Sequence, residues 1–192
     1  MGKKPTGTIF CWRIIMDMNF KNKLKFALLI MAMSLLISSC SGEKAAEPIL
    51  LETFTKNSVT VSIYLETMQD GQDALVAHFV PPEDAHLYSK DIPRNGVEGL
   101  GRPTLLELTP NSQMQAAGGL FESSPAQIPE FEPKELLIYP VGMVTLTLPV
   151  TLPAGSNWVE DEISITFMAC TDRGCKPPVE NEVISVRIPP QG

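Results

Sequence analysis

The chain has 192 residues, with 15 Lys and Arg against 22 Asp and Glu, and a formal net charge of −7. Residues 1–39 carry six of the basic residues and one acidic residue, so nine basic and 21 acidic residues remain, a net charge of −12. This balance argues against nucleic acid as a partner and against electrostatic docking on anionic lipid, because both require a basic surface. About 150 residues beyond position 39 suffice for one domain with its own core.

The N-terminus has the pattern of a bacterial lipoprotein signal peptide. Residues 18–26 are basic, and residues 27–37 form an apolar run of the usual length, which is too short for a comfortable membrane span. Small residues precede Cys40, which resembles a lipobox, where cleavage leaves a cysteine that carries lipid. We therefore predict a signal peptide over 1–39, with Met18 as an alternative start, and lipidation of Cys40. An ordinary secretory signal with an incidental cysteine is the alternative.

A polar stretch follows the lipobox. We interpret residues 40–54 as the lipidated cysteine and a tether, and residues 55–192 as the folded domain. Ser41 resembles the outer-membrane sorting choice, since aspartate at that position is the usual retention signal. We therefore predict a protein of the cell envelope. A lipid would anchor it to a membrane, the outer membrane, on the periplasmic side.

The domain reads as a series of short strands. Alternating or continuous apolar runs are separated by turns rich in Gly, Asn, Asp and Pro, and no amphipathic helix of useful length occurs. Many short strands and seventeen prolines predict an all-β, antiparallel β-sandwich. Pro149 suits a sheet edge or a bulge, and residues 110–140 form a long irregular stretch of a kind that is often functional. The predicted strands cover residues 59–65, 74–80, 104–108, 144–152, 163–167 and 183–188.

Two cysteines lie in the turn that follows the strand over 163–167. Cys11 leaves with the signal peptide and Cys40 is blocked by lipid, so Cys170 and Cys175 remain as an even pair in a compartment that permits disulfides. The four intervening residues allow the two Cβ atoms to come within bonding range if the turn folds back.

The spacing alone leaves two interpretations open. A structural disulfide across so short a loop contributes only about 2–3 kcal/mol. A redox pair needs an accessible sulfur and a thiolate, which Arg173 and Lys176 favour and Asp172 opposes. The C-x4-C spacing differs from the C-x-x-C of thioredoxins, and no βαβ pattern accompanies it.

The cysteine segment reads Cys170-Thr-Asp-Arg-Gly-Cys175-Lys-Pro-Pro178 after Ile165-Thr-Phe-Met-Ala169. Upstream of it lie His86-Leu-Tyr88, Gly101-Arg-Pro-Thr-Leu105 and Tyr139, followed by Val144-Thr-Leu-Thr-Leu-Pro-Val150. In this order the segments resemble a known family, the N-terminal periplasmic domain of the thiol:disulfide interchange protein DsbD, whose active-site segment the cysteine segment matches. The resemblance covers roughly residues 55–190.

This resemblance implies an immunoglobulin-like sandwich and extracytoplasmic thiol–disulfide exchange, as a disulfide reductase or electron relay. It implies that Cys175 forms mixed disulfides with partners and that Cys170 resolves them. The family also shields its cysteine pair with a loop that carries an aromatic residue, and Phe131 occupies the corresponding stretch. A plain hydrophobic anchor for the loop is the alternative role for Phe131.

The resemblance also implies partners. Members of the family usually continue into a membrane domain and a thioredoxin-like domain, whereas this sequence stops at Gly192. We therefore expect a separate electron donor, either thioredoxin-like or a DsbD-type membrane protein, and oxidised envelope proteins as acceptors. A role in cytochrome c biogenesis, keeping haem-attachment cysteines reduced, is a variant with the same chemistry.

No pattern in the sequence predicts a metal or a cofactor. His78 and His86 show no metal-ligand spacing. His86 remains a candidate base near the thiols, whereas Tyr88 and Tyr139 are expected to be buried sandwich residues rather than site residues. A function of a different class also stays open. The protein would then be a non-enzymatic envelope binding or assembly module, and Cys170–Cys175 would be only a structural disulfide.

Overall fold

The computed structural model describes residues 47–190. Within that range no helix is long and apolar enough to cross a membrane, and the chain forms twelve strands whose mutual pairings are all antiparallel. The strands are β1 (Ile49–Lys56), β2 (Val59–Thr67), β3 (Asp73–Val80), β4 (His86–Leu87), β5 (Leu105–Leu108), β6 (Gln115–Ala116), β7 (Phe121–Glu122), β8 (Val144–Thr151), β9 (Val159–Phe167), β10 (Ala169–Thr171), β11 (Gly174–Cys175) and β12 (Val179–Ile188).

The first sheet has the strand order β1-β2-β3-β8, and the short strands β6 and β7 pair with the other side of β8. Its strands follow the period of two in the sequence, which places every second side chain on the same face. In β2 the apolar residues Val59, Val61, Ile63 and Leu65 are buried, while the residues between them are half-buried.

The second sheet has the order β12-β9-β5. Ile163, Ile165 and Phe167 of β9 are fully buried. They share one hydrophobic core with the inward residues of the first sheet, and Phe79 of β3 meets Phe167 edge to face with ring centroids 5.9 Å apart. Each such side chain contributes roughly 1.5–3 kcal/mol by burial. The predicted all-β antiparallel β-sandwich is confirmed.

A third, small sheet has the order β11-β10-β4. Met168 alone separates β9 from β10, so the chain passes directly from the core into this sheet. A satellite cluster of buried residues, formed by Tyr88, Ile92, Leu136 and Cys170, packs beside it. We call residues 86–88, 127–138 and 169–176 the disulfide corner.

The N-terminal boundary of the domain differs from the prediction. The tether was expected to extend to residue 54, but Ile49–Lys56 forms β1 and pairs with β2 across a bulge between Leu50 and Glu52. This strand is mostly exposed, and only Leu51 and Phe54 pack against the core. The weak alternation explains why the sequence does not reveal the strand. The signal peptide and Cys40 lie outside the described residues.

Pro149 lies where the edge of β8 is interrupted. It faces Ala74 of β3 on one side, while β7 pairs with Leu146 and Thr147 and β6 pairs with Val150 and Thr151 on the other. A residue without an amide hydrogen fits the gap between those two short strands, as an edge or bulge position allows.

Candidate functional site

The two cysteines face each other across a tight hairpin. Cys170 of β10 pairs directly with Cys175 of β11, and the two are joined by a disulfide with Cα atoms 4.0 Å apart. Thr171 supports the two-residue turn, since its hydroxyl accepts a hydrogen bond from the Arg173 amide (3.2 Å) and donates one to the Gly174 carbonyl (3.3 Å). Gly174 has a φ of 137°, which favours glycine.

The two sulfur-bearing residues differ in exposure. Cys170 is only 2% exposed, because β10 is flanked by β4 on one side and β11 on the other. Cys175 is exposed on the outer strand of the small sheet and lines a groove of about 280 Å³. An incoming thiol therefore has access to Cys175 and not to Cys170.

Tyr88 connects the core side of the site to the disulfide. Its hydroxyl donates a hydrogen bond to Cys170 Sγ at 2.9 Å and lies 3.9 Å from Cys175 Sγ. Burial raises the pKa of the Tyr88 phenol, so the hydroxyl keeps its proton and remains a donor. Such a donor stabilises a thiolate on Cys170 more than it stabilises a neutral sulfur.

Close packing holds Tyr88 in place. Thr104 donates a hydrogen bond from its hydroxyl to the Tyr88 carbonyl at 2.7 Å. Gly101 has a φ of +72°, and a Cβ at that position would lie 2.7 Å from Leu136 Cδ1 and 3.2 Å from the Tyr88 ring. Any other residue at 101 would displace the tyrosine or the leucine.

His86 lies beside the disulfide in the neighbouring strand. It pairs with Cys170 across β4 and β10, and its ring meets the Tyr88 ring edge to face at 5.4 Å. Its Nε2 atom is buried and has no hydrogen-bond partner among the described residues. Burial lowers the pKa of the imidazole, and the Asp172 carboxylate partly opposes this shift. His86 is therefore neutral at pH 7.

A loop over residues 128–137 closes over His86. Gln127 and Ile138 join its base through two backbone hydrogen bonds of 2.7 and 3.0 Å, and Ile138 also bridges to Tyr88. Lys134 Nζ donates to the carbonyls of Pro129 (3.2 Å) and Glu130 (3.0 Å), which ties the two halves of the loop together. Phe131, 40% exposed, stacks on the His86 ring with centroids 5.7 Å apart.

The three charged residues predicted to tune the thiolate all lie in or beside the hairpin. Asp172 and Arg173 form its turn, and Lys176 follows Cys175 with its amide donating to the Ala169 carbonyl at 2.9 Å. All three side chains are exposed. Arg173 and Lys176 both line the groove beside Cys175.

The fold thus brings Cys170, Cys175 and Phe131 into one corner, together with His86 and Tyr88. Tyr88 is buried, as expected, but it also contacts sulfur, which the sequence interpretation did not favour. Tyr139 is buried elsewhere, with its hydroxyl accepting from the Lys90 amide at 3.0 Å. No group of three potential metal-ligating side chains occurs between residues 47 and 190.

Gly101 and Leu136 are site residues that sequence reasoning missed. In the sequence, Gly101 stands out only as part of the Gly101-Arg-Pro-Thr-Leu105 segment. Its contact with the ring of Tyr88, thirteen positions earlier, depends on how two loops pack. The Gly101-Arg-Pro segment contributes to the resemblance only through its position in the order of segments along the chain.

Comparison with known proteins gives a distant likeness among solved structures. No family model matches the chain, and no curated protein matches it. Among solved structures, the chain is similar to the crystal structure of the DsbD N-terminal domain of Neisseria meningitidis in the reduced form, with 16% identity and a TM-score of 0.41, over 70% of this chain and 86% of that chain.

Proposed function

We propose that this protein carries out extracytoplasmic thiol–disulfide exchange through Cys170 and Cys175, as a disulfide reductase or electron relay. The observation that carries the proposal is the unequal exposure of the two cysteines. Exchange requires one sulfur that a partner can approach in line, and a second sulfur close enough to attack the first one afterwards. The exposed Cys175 and the buried Cys170 meet those two requirements.

The exchange proceeds in two steps from the reduced protein. The Cys175 thiolate attacks one sulfur of a partner disulfide, that disulfide breaks, and the departing partner sulfur takes up a proton. The Cys170 thiolate then attacks Cys175 Sγ and displaces the second partner sulfur, which is also protonated. Two electrons pass from the protein to the partner, and the Cys170–Cys175 disulfide forms. The hydrogen bond from Tyr88 supports the Cys170 thiolate in the second step.

Phe131 serves as the cap of the site in this proposal. Its ring rests on His86, which is the direct neighbour of Cys170 in the small sheet. Buried Leu136 and the backbone bonds between Gln127 and Ile138 fix the base of the loop, whereas residues 130–132 around Phe131 are exposed and are tied to the rest by Lys134. An exposed loop tip held in this way can move aside at a cost well below that of unfolding the domain.

The proposed setting follows from the leader. Lipidation of Cys40 would hold the domain at a membrane of the cell envelope, on its periplasmic side. A thioredoxin-like or DsbD-type membrane protein would supply electrons, and oxidised envelope proteins would accept them. Apocytochromes, whose haem-attachment cysteines must stay reduced, are one class of acceptor with the right chemistry.

A structural disulfide is the second candidate, and the cross-strand pairing of the cysteines favours it. Cys170 and Cys175 are directly opposite in a hairpin, so the bond would lock two strands that already pair. In that case the protein would act as a binding or assembly module and its disulfide would remain oxidised.

The reduction potential of the Cys170–Cys175 pair separates the two functions. We would equilibrate the full chain, purified in detergent, against glutathione or dithiothreitol buffers and follow the fold in both states by circular dichroism. We expect a potential of roughly −180 to −270 mV, in the range of exchange proteins, with the fold retained on reduction. A potential below about −300 mV would identify a structural disulfide and contradict the proposal.

A further inference from the structure

The distribution of positive charge singles out one place on the molecule. Residues 47–190 contain eight Lys and Arg side chains among twenty Asp and Glu. Six of the eight are engaged in ion pairs within that range, whereas Arg173 and Lys176 are in none. The paired residues are Lys56 with Glu182, Lys90 with Asp91 and Glu122, Arg94 with Glu107, Arg102 with Glu180, Lys134 with Glu132, and Arg187 with Glu160.

The two unpaired cations are next to the exposed sulfur. Arg173 and Lys176 lie on either side of Cys175 in sequence, and both line the groove into which that residue faces. The rest of the groove is formed largely by small or apolar residues, among them Pro82 and Ala85. The groove therefore offers a narrow apolar floor with a positive charge near each side of the cysteine.

No carboxylate in residues 47–190 forms an ion pair with either of these cations. Glu83 and Asp84 precede the groove residue Ala85 and are exposed, yet neither forms an ion pair with Arg173 or Lys176 within the described range. The third charge of the hairpin, Asp172, acts on His86 on the other strand pair. In a protein this acidic, two free cations at one spot form a local site of attraction for carboxylates.

We propose that the groove beside Cys175 docks an acidic segment of the partner protein, with carboxylates flanking the partner's disulfide. The inference rests on the proposed function and specifies the partner for that same site. Arg173 and Lys176 each receive one carboxylate, and the apolar floor receives the backbone next to the partner cysteine. Docking in this register holds the partner sulfur against Cys175 Sγ for attack.

The test compares disulfide-bonded peptides that differ only in their flanks. Three peptides share one cysteine spacing and carry Glu, Gln or Lys beside the cysteines. The reduced full chain is mixed with each, and the second-order rate of its oxidation is divided by the rate of the same peptide with dithiothreitol, a neutral dithiol. This division removes the intrinsic effect of the flanks on the peptide disulfide. We expect the Glu peptide to react about tenfold faster than the Gln peptide at low salt, and about twofold faster at 0.5 M NaCl.

Variants then assign the preference to the groove. Arg173→Gln/Lys176→Gln should bring the ratio between Glu and Gln peptides close to one, and Arg173→Glu/Lys176→Glu should make the Lys peptide the fastest. Arg94→Gln/Arg187→Gln removes the same number of charges from exposed ion pairs outside the groove and should keep the wild-type ratio. A ratio that is near one in the wild type, or that survives the groove substitution, overturns the docking proposal.

A neutral oxidant distinguishes docking from thiolate tuning and from failure of the function itself. Bis(2-hydroxyethyl) disulfide has no charge. If Arg173→Gln/Lys176→Gln only lowers the thiolate fraction, its reaction with this reagent slows as much as its reaction with the peptides. If the variant loses docking, only the ratio among the peptides changes. If the wild type oxidises with the neutral reagent but shows no peptide preference, exchange stands and docking fails. If the reduced wild type reacts with none of these disulfides, both proposals fail.

Discussion

The sandwich core and the disulfide corner are built on opposite principles. The core between the two large sheets consists of apolar side chains such as Phe79, Ile163 and Phe167, fully buried and in contact with one another. The corner also buries polar groups among its apolar side chains, including a tyrosine hydroxyl that donates to a sulfur atom and an imidazole nitrogen that has no hydrogen-bond partner among the described residues. This contrast indicates that the two large sheets provide most of the stability, so the small sheet can carry reactive groups.

The largest expected effect is in the core. Replacing Phe79 by Ala removes a ring packed against Phe167 and should lower the free energy of unfolding by about 3–5 kcal/mol. Urea denaturation measures this loss. Val80→Ala, at the adjacent exposed position, is the matched control and should cost less than about 1 kcal/mol. Equal losses at the two positions would contradict the burial pattern of β3.

Breaking the disulfide should cost less. The closed loop is short, so reducing Cys170–Cys175 should lower the free energy of unfolding by about 2–3 kcal/mol at most. The comparison is urea denaturation of the oxidised and reduced full chain, with the near-ultraviolet circular dichroism of the core aromatics as a second readout. If reduction abolished that signal, the corner would be holding the core together and the contrast between the two regions would break.

Removing the Tyr88 hydroxyl should change the redox chemistry more than the fold. In Tyr88→Phe the Cys170 thiolate loses its donor, so the reduced form is destabilised and the potential becomes more negative by about 20–30 mV at about pH 9, where thiolates predominate. Tyr139→Phe is the control, because that buried hydroxyl bonds the Lys90 amide and no sulfur. A potential that shifts equally in both variants would argue against a role of Tyr88 at the disulfide.

The cap proposal predicts a change in rate with little change in stability. Phe131→Ala should speed reduction of the disulfide by dithiothreitol about three- to tenfold, since access to the sulfur governs exchange. Phe121→Ala provides the comparison, because Phe121 is similarly exposed but lies on β7, outside the disulfide corner. An unchanged rate in Phe131→Ala would leave that ring only its alternative role as an anchor for the loop.

The smallest expected effect concerns pH. Burial lowers the pKa of folded His86, so below about pH 6.5 the unfolded chain binds a proton that the folded chain resists. Stability is therefore present above that pH and is lost as the pH falls towards 5. His86→Gln should make the free energy of unfolding less dependent on pH, by less than the slope that one bound proton contributes. Urea denaturation between pH 7.5 and 5 measures this dependence. An unchanged slope would show that the imidazole titrates freely.

The sequence was most informative where a regular pattern repeats. Alternating residues such as Val59, Val61 and Ile63 predict the strands, because a period of two puts their side chains on one face. It was least informative at β1, where only Leu51 and Phe54 face inward and a bulge interrupts the period. The cysteine pair was evident from spacing, but spacing could not show which sulfur is exposed.

The sequence by itself determined the strand pattern, the acidic balance of the domain and the presence of two cysteines separated by a short turn. The tertiary structure alone decided that Tyr88, 82 positions before Cys170, donates to its sulfur, and that Phe131 stacks on His86. It also decided that Arg173 and Lys176 remain unpaired while the other cations within residues 47–190 find carboxylates. Local patterns govern which residues face inward, whereas a site depends on contacts between segments far apart in the chain, which only the packing of the whole domain brings together.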